Sequence, residues 1–168
     1  SVAVNSATSA LHLACLALNL KKGDYLWTSS ISFVASSNCG LYCGAKVDFV
    51  DINPKTGLIS IKALKKKLEF AAIKNKLPKV LIPVHLAGSS CDMVSIKQLS
   101  KEYGFKVIED ASHAIGGKYK DKYVGSCQYS DISVLSFHPV KIITTGEGGM
   151  VLTNNDEIYQ KIKMLRGH

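Results

Sequence analysis

Short apolar runs alternate with longer amphipathic stretches from Val2 to Asp110, and this restricts the chain to a parallel α/β arrangement. Residues 2–4, 25–28, 46–50, 80–84 and 106–108 read as strands. Residues 9–20, 32–42, 60–74 and 93–103 between them read as helices, with Gly44 and Gly104 as stops after the second and fourth. Strands this short and this apolar suit a sheet covered on both faces. After Asp110 the pattern changes. Residues 117–125 read as a small hairpin, 131–136 and 149–153 as two more strands, and 156–166 as a closing helix. There is no internal repeat and no low-complexity linker.

A chain of 168 residues is long enough for one domain with a sizeable core. No segment approaches the ~18 consecutive apolar residues of a membrane helix, since the apolar run 10–20 is broken by His12 and Asn19. No membrane partner is expected. The net charge of +8 is spread over separate lysines such as Lys21-Lys22, Lys65-Lys66-Lys67, Lys74, Lys76 and Lys79. Without a basic stripe and interleaved aromatics, nucleic acid is not an expected partner, and the charge amounts to a mild pull on small anions. Cys15, Cys39, Cys43, Cys91 and Cys127 form no Cys-x-x-Cys pair. They read as buried free thiols of a reducing compartment, the cytoplasm, and no metal site is expected. The chain starts at Ser1 without an initiator Met or basic leader and stops at Arg166-Gly167-His168, the expected extent of an incomplete domain.

Ligands of parallel α/β sheets lie outside the carboxyl ends of the strands, and three clusters fall there. Asn5-Ser6-Ala7-Thr8-Ser9-Ala10 opens the first helix. Its small hydroxyl residues can cap the helix, and the free N–H groups and helix dipole favour a phosphate. A plain cap without a ligand is the alternative. No Gly-x-Gly-x-x-Gly marks a dinucleotide site. Asp110 follows a strand in Glu109-Asp110-Ala111-Ser112-His113, and a carboxylate there needs a cationic or hydrogen-bonding partner. It could equally cap the next turn, and His113 could be structural. Lys141 lies in an apolar, Gly-punctuated stretch, Ser136-Phe137-His138-Pro139-Val140-Lys141 and Thr144-Thr145-Gly146-Glu147-Gly148-Gly149. Burial would make its neutral amine available as a nucleophile; the alternative is an ordinary surface lysine. A phosphate cradle, an acid for a ring nitrogen and an amine for a carbonyl are together the set that pyridoxal 5'-phosphate (PLP) requires.

Six stretches extend this set, within residues 5–11, 32–36, 44–51, 83–88, 109–116 and 136–149. In this order they resemble the DegT/DnrJ/EryC1/StrS family of nucleotide-sugar aminotransferases, over essentially the whole chain. The resemblance implies the type I PLP-enzyme large domain, an α/β fold with a mostly parallel seven-stranded sheet flanked by helices, here residues 1–168 without its start or the C-terminal small domain. It implies that Lys141 carries the cofactor and moves the substrate proton, and that Asp110 pairs with the pyridine nitrogen. It implies that Thr8, Ser9 and Ser136 hold the phosphate, that Phe33 stacks on the ring, and that His113 lies beside it. The implied reaction is transamination of a nucleotide-linked keto-sugar by an amino-acid donor such as glutamate, in a homodimer, for surface glycans or natural-product sugars. The stretches are most similar to the branch acting on UDP-4-keto-6-deoxy amino sugars for pseudaminic-type acids. Related dehydratases replace the lysine by histidine, and cysteine desulfurases place a histidine directly before it; Lys141 and Val140 speak against both. A PLP-binding regulator without turnover would use the same residues, and a nucleotide-binding module without PLP would use only the anion-binding ones.

Overall fold

The computed structural model describes residues 1–167, and His168 lies outside them. The elements in chain order are β1 (Val2–Val4), α1 (Ala7–Ala17), β2 (Tyr25–Ser29), α2 (Ala35–Tyr42), β3 (Lys46–Val50), α3 (Ile61–Ile73), β4 (Val80–Ile82), α4 (Met93–Tyr103) and β5 (Lys106–Asp110). There follow β6 (Lys118–Tyr119), β7 (Lys122–Tyr123), β8 (Ile132–Ser136), β9 (Gly149–Leu152) and α5 (Asp156–Arg166). Seven strands form one sheet in the order β1-β9-β8-β5-β4-β2-β3. The five strands from β8 to β3 are parallel, whereas β9 is antiparallel to both β8 and β1. The mostly parallel seven-stranded sheet expected from the resemblance is thus present, and β6 and β7 form the expected small hairpin apart from it.

Strand alternation distributes the core. Val80, Ile82 and Ile108 point to one face, against Leu11, Cys15 and Cys39 of α1 and α2 and Ile162 of α5. Leu81 and Val107 point to the other, against Leu64 and Leu68 of α3 and Ile96 of α4, with Trp27 beside them. Both faces are covered, which is why the strands are nearly all apolar. Side-chain caps fix the helix starts: Ser6, Ser60, Asp92 and Asn155 each accept from the backbone N–H three residues on. Gly104 closes α4 at φ 78, a left-handed position that favours glycine.

Some boundaries differ from the sequence reading. The first helix starts at Ala7 because Ser6, not a later hydroxyl, is its cap. The second starts at Ala35 rather than at 32, and Val34 at its cap position supplies no side-chain hydrogen bond. Asp110 is the last residue of β5 rather than the residue after a strand. All five cysteines are free, and Cys43 is half-buried rather than buried. No helix among the described residues is long and apolar enough to cross a membrane, and no group of three potential ligands there could hold a metal.

Candidate active site

A cavity of about 320 Å³ opens at the carboxyl edge of the central strands, at the small end of the size range of small-molecule sites. Its wall includes Asp110 at the end of β5 and His113 after it, Ser136 at the end of β8, and Lys141 in the following loop. The start of α1 supplies Ser6, Ala7 and Thr8, and Phe33 closes one side.

Asp110 is 3% exposed. Its Oδ2 accepts a 2.6 Å hydrogen bond from Ser36 Oγ, and its Oδ1 accepts one of 3.2 Å from the Ser112 N–H. A carboxyl buried this deeply needs such donors, and it retains acceptor capacity on the cavity side. Lys141 is half-buried, and its Nζ makes no ion pair or hydrogen bond among the described residues. The sequence expectation of an apolar burial around this amine is corrected: Val140, Ile142 and Ile143 turn outward and are exposed. The loop is held instead by backbone and hydroxyl bonds. Lys141 N–H donates to the His138 carbonyl at 2.9 Å and Thr144 Oγ1 to the Phe137 carbonyl at 3.0 Å.

His113 Nδ1 accepts from the Ala87 N–H at 3.4 Å. Burial, and then the positive charge of Lys141, hold its imidazole below the ordinary value, while Asp110 pulls the other way. The ring is therefore neutral at pH 7 and carries its proton on Nε2. Phe33 is 67% exposed, an uncovered aromatic face at the cavity wall.

At the anion end, the N–H groups of Ala7 and Thr8 have no partner among the described residues. The Ser136 and Thr8 hydroxyls likewise donate to no other group there. The chain comes close at Gly149, where a Cβ would collide with the backbone of Ser6 and Ala7. This brings β9 against the start of α1. Ser9, expected among the phosphate contacts, is not brought to this cavity. Its N–H is spent on the Ser6 cap at 3.2 Å, its Oγ accepts from Ser6 Oγ at 3.2 Å, and it lines a separate depression with His12 and Arg166. Ser6 and Ala7 stand in its place.

Sequence reasoning gave no role to Ser36, whose partner lies 74 positions away. It also gave none to His138 and Glu147 at the cavity rim, where Nε2 and Oε1 are 3.7 Å apart. The available signal was their position inside the stretches 32–36 and 136–149.

With an aspartate that ends a central parallel strand and a lysine from the loop after the neighbouring strand on the same cavity, this mostly parallel seven-stranded α/β sheet has the fold of the solved PLP aminotransferases. The chain belongs to the DegT/DnrJ/EryC1/StrS aminotransferase family, whose model matches residues 1–168. It is 48% identical over 98% of its length to a UDP-4-amino-4,6-dideoxy-N-acetyl-beta-L-altrosamine transaminase of Campylobacter jejuni subsp. jejuni, of which it covers 42%. It is 41% identical over 99% of its length to a GDP-perosamine synthase of Caulobacter vibrioides, of which it covers 43%. Among solved structures, Helicobacter pylori PseC, an aminotransferase of pseudaminic acid biosynthesis, matches 99% of the chain at a TM-score of 0.87 and 37% identity, with 43% of PseC covered. NtdA from Bacillus subtilis, solved with bound cofactor PMP, matches 96% at 0.82 and 34% identity, with 34% of NtdA covered. The chain thus spans less than half the length of these relatives.

The residues fit a phosphorylated pyridine ring. The free N–H groups of α1 and the Ser136 hydroxyl suit the phosphate, the Asp110 carboxyl suits a protonated ring nitrogen, and Phe33 offers a face for the ring.

Proposed function

We propose that this chain is the cofactor-binding part of a PLP-dependent aminotransferase that transfers an amino group from a donor such as glutamate to a nucleotide-linked keto-sugar. The observation that carries this reading is one cavity shared by the Lys141 amine, the Asp110 carboxyl and the start of α1. Bound PLP would supply an electron sink for the negative charge that develops on the substrate carbon. The chain's own residues bind, orient and move protons. Ala7, Thr8 and Ser136 hold the phosphate. Asp110, fixed by Ser36 and Ser112, accepts the hydrogen bond of the ring nitrogen and keeps that nitrogen protonated. Lys141 Nζ, free of any ion pair among the described residues, would hold the cofactor and carry a proton to and from the substrate carbon. His113, neutral, would offer its Nε2–H to the bound cofactor.

Similarity to an altrosamine transaminase and to PseC supports a UDP-linked keto-sugar of the pseudaminic type as substrate, and surface-glycan synthesis as the role. A homodimer is part of the reading, supported by exposed apolar residues next to the cavity, namely Ile31, Phe33, Val34, Val140, Ile142 and Ile143. The chain then belongs to the large domain of a cytoplasmic enzyme, a reading supported by its cover of less than half the length of its relatives.

The test is turnover of glutamate and a UDP-4-keto-6-deoxy amino sugar by the enzyme, with its visible absorbance recorded. Lys141→Ala is expected to abolish both the colour and the turnover. A variant that retains both removes Lys141 from the mechanism.

A further inference from the structure

Behind the cavity, on the other side of the sheet, further polar side chains are buried without partners. Glu109 precedes Asp110 on β5 and points the opposite way, as strand alternation requires. It is 4% exposed, and its Oε2 has no hydrogen-bond partner. His85 is 0% exposed, and its Nε2, also without a partner, faces that oxygen across 4.0 Å. The Ser133 and Ser130 hydroxyls and the Gly125 N–H stand around the same carboxyl and pull it down against the larger upward push of burial, although neither hydroxyl reaches hydrogen-bond geometry with a partner among the described residues. Neither His85 nor Glu109 lines the cavity.

The orientation of the His85 ring is fixed. Its Nδ1 accepts from the Cys91 N–H at 3.2 Å, so a neutral ring carries its proton on Nε2, aimed at Glu109. Burial pushes His85 down to about 4, against a smaller opposite pull from Asp110, and pushes the Glu109 carboxyl up. An apolar pair would fill this volume without orphaned atoms, so the polar pair asks for an explanation. The backbone supplies one. His85 N–H donates to the Asp110 carbonyl at 3.0 Å, and Asp110 N–H donates to the Pro83 carbonyl at 3.0 Å. The two side chains bracket the peptide from which Asp110 hangs.

We propose that His85 and Glu109 are positioning residues for Asp110: facing each other behind the sheet, they hold the end of β5 and set the depth at which the Asp110 carboxyl meets the cofactor ring. This rests on the reading of Asp110 given above.

The test uses the cofactor-loaded enzyme. Glu109→Gln keeps an acceptor for the Nε2–H and is expected to leave the visible band and its pH titration in place. Glu109→Leu and His85→Phe, which fill the space without pairing, are expected to shift the titration midpoint by about half a pH unit or more and to lower kcat about tenfold, with the donor KM little changed. Folded Leu and Phe variants with wild-type titration and kcat overturn the proposal, whatever their melting temperatures. Imidazole 15N shifts give a second readout that needs neither variants nor cofactor. They are expected to show His85 protonated on Nε2 alone at neutral pH, and a proton on Nδ1 overturns the pairing. A wild-type enzyme without any lysine-bound cofactor band contradicts the reading of Lys141 and Asp110 instead, and the His85 shifts still decide the pairing.

Discussion

Ser36 Oγ donates a 2.6 Å hydrogen bond to Asp110 Oδ2 in a buried setting, joining the first turn of α2 to the end of β5. The bond fixes the direction of the buried Asp110 carboxyl at the cavity wall, and it leaves the carboxyl's remaining acceptor sites for a ligand.

Ser36→Ala removes that donor and leaves the buried carboxyl underpaired. A hydrogen bond to a charged group contributes about 1.5–3 kcal/mol, so cofactor affinity should fall about tenfold or more. Titration of the apoenzyme with PLP, followed in the visible, measures it. Wild-type affinity would mean that Ser112 alone holds Asp110.

Gly149→Ala tests the close approach of β9 to α1. The new Cβ meets the backbone of Ser6 and Ala7, which cannot swing aside as a flexible side chain could. The expected loss of stability is about 1–3 kcal/mol, accompanied by weaker binding of inorganic phosphate because the free N–H groups of Ala7 and Thr8 are displaced. A melting curve and a phosphate titration check the two effects separately. Gly149 is not at positive φ, so an unchanged melting temperature would leave no other reason for glycine there.

His85 makes stability depend on pH. Its value in the fold, about 4, lies below the ordinary 6.5. Between those limits the unfolded chain holds the extra proton, so the stability due to the neutral ring is complete above the upper limit and is lost as pH falls through the window toward the lower one. The full difference is on the order of 3 kcal/mol. Glu109 acts in the opposite sense, because its raised carboxyl disfavours the fold as pH rises past the ordinary carboxylate range. Denaturant midpoints are expected to drop from about pH 7 to about pH 5. His85→Phe should flatten this slope, and an unchanged slope would assign it to other groups.

The parallel core could be read from the sequence because both sheet faces are covered, which leaves strands such as Val80–Ile82 without a polar position. That Asp110 and Lys141 share a cavity could be anticipated, because each stands in a short stretch with a chemical reason for its residue type. Their support could not. Ser36 binds Asp110 through tertiary geometry that no local spacing encodes, and Glu109, next to Asp110 in sequence, is turned to the opposite face by strand alternation. Ser9 does not line the cavity, for a local reason. One hydroxyl in Ser6-Ala7-Thr8-Ser9 must cap α1, and when Ser6 does so the hydrogen bonds of Ser9 are consumed by the cap. The apolar run around Lys141 suggested burial, yet Val140 is 77% exposed, because apolar residues beside a ligand cavity need not belong to the core.

The central claim is that the Lys141 amine and the Asp110 carboxyl serve one cofactor. Borohydride reduction of the PLP-loaded enzyme fixes a lysine-bound cofactor to its lysine, and peptide mass mapping then locates it. The label is expected on Lys141, at about one per chain in wild type and well below that in Asp110→Ala at the same PLP concentration. A label on any other of the lysines, or equal labelling of Lys141 with and without the Asp110 carboxyl, would contradict the account.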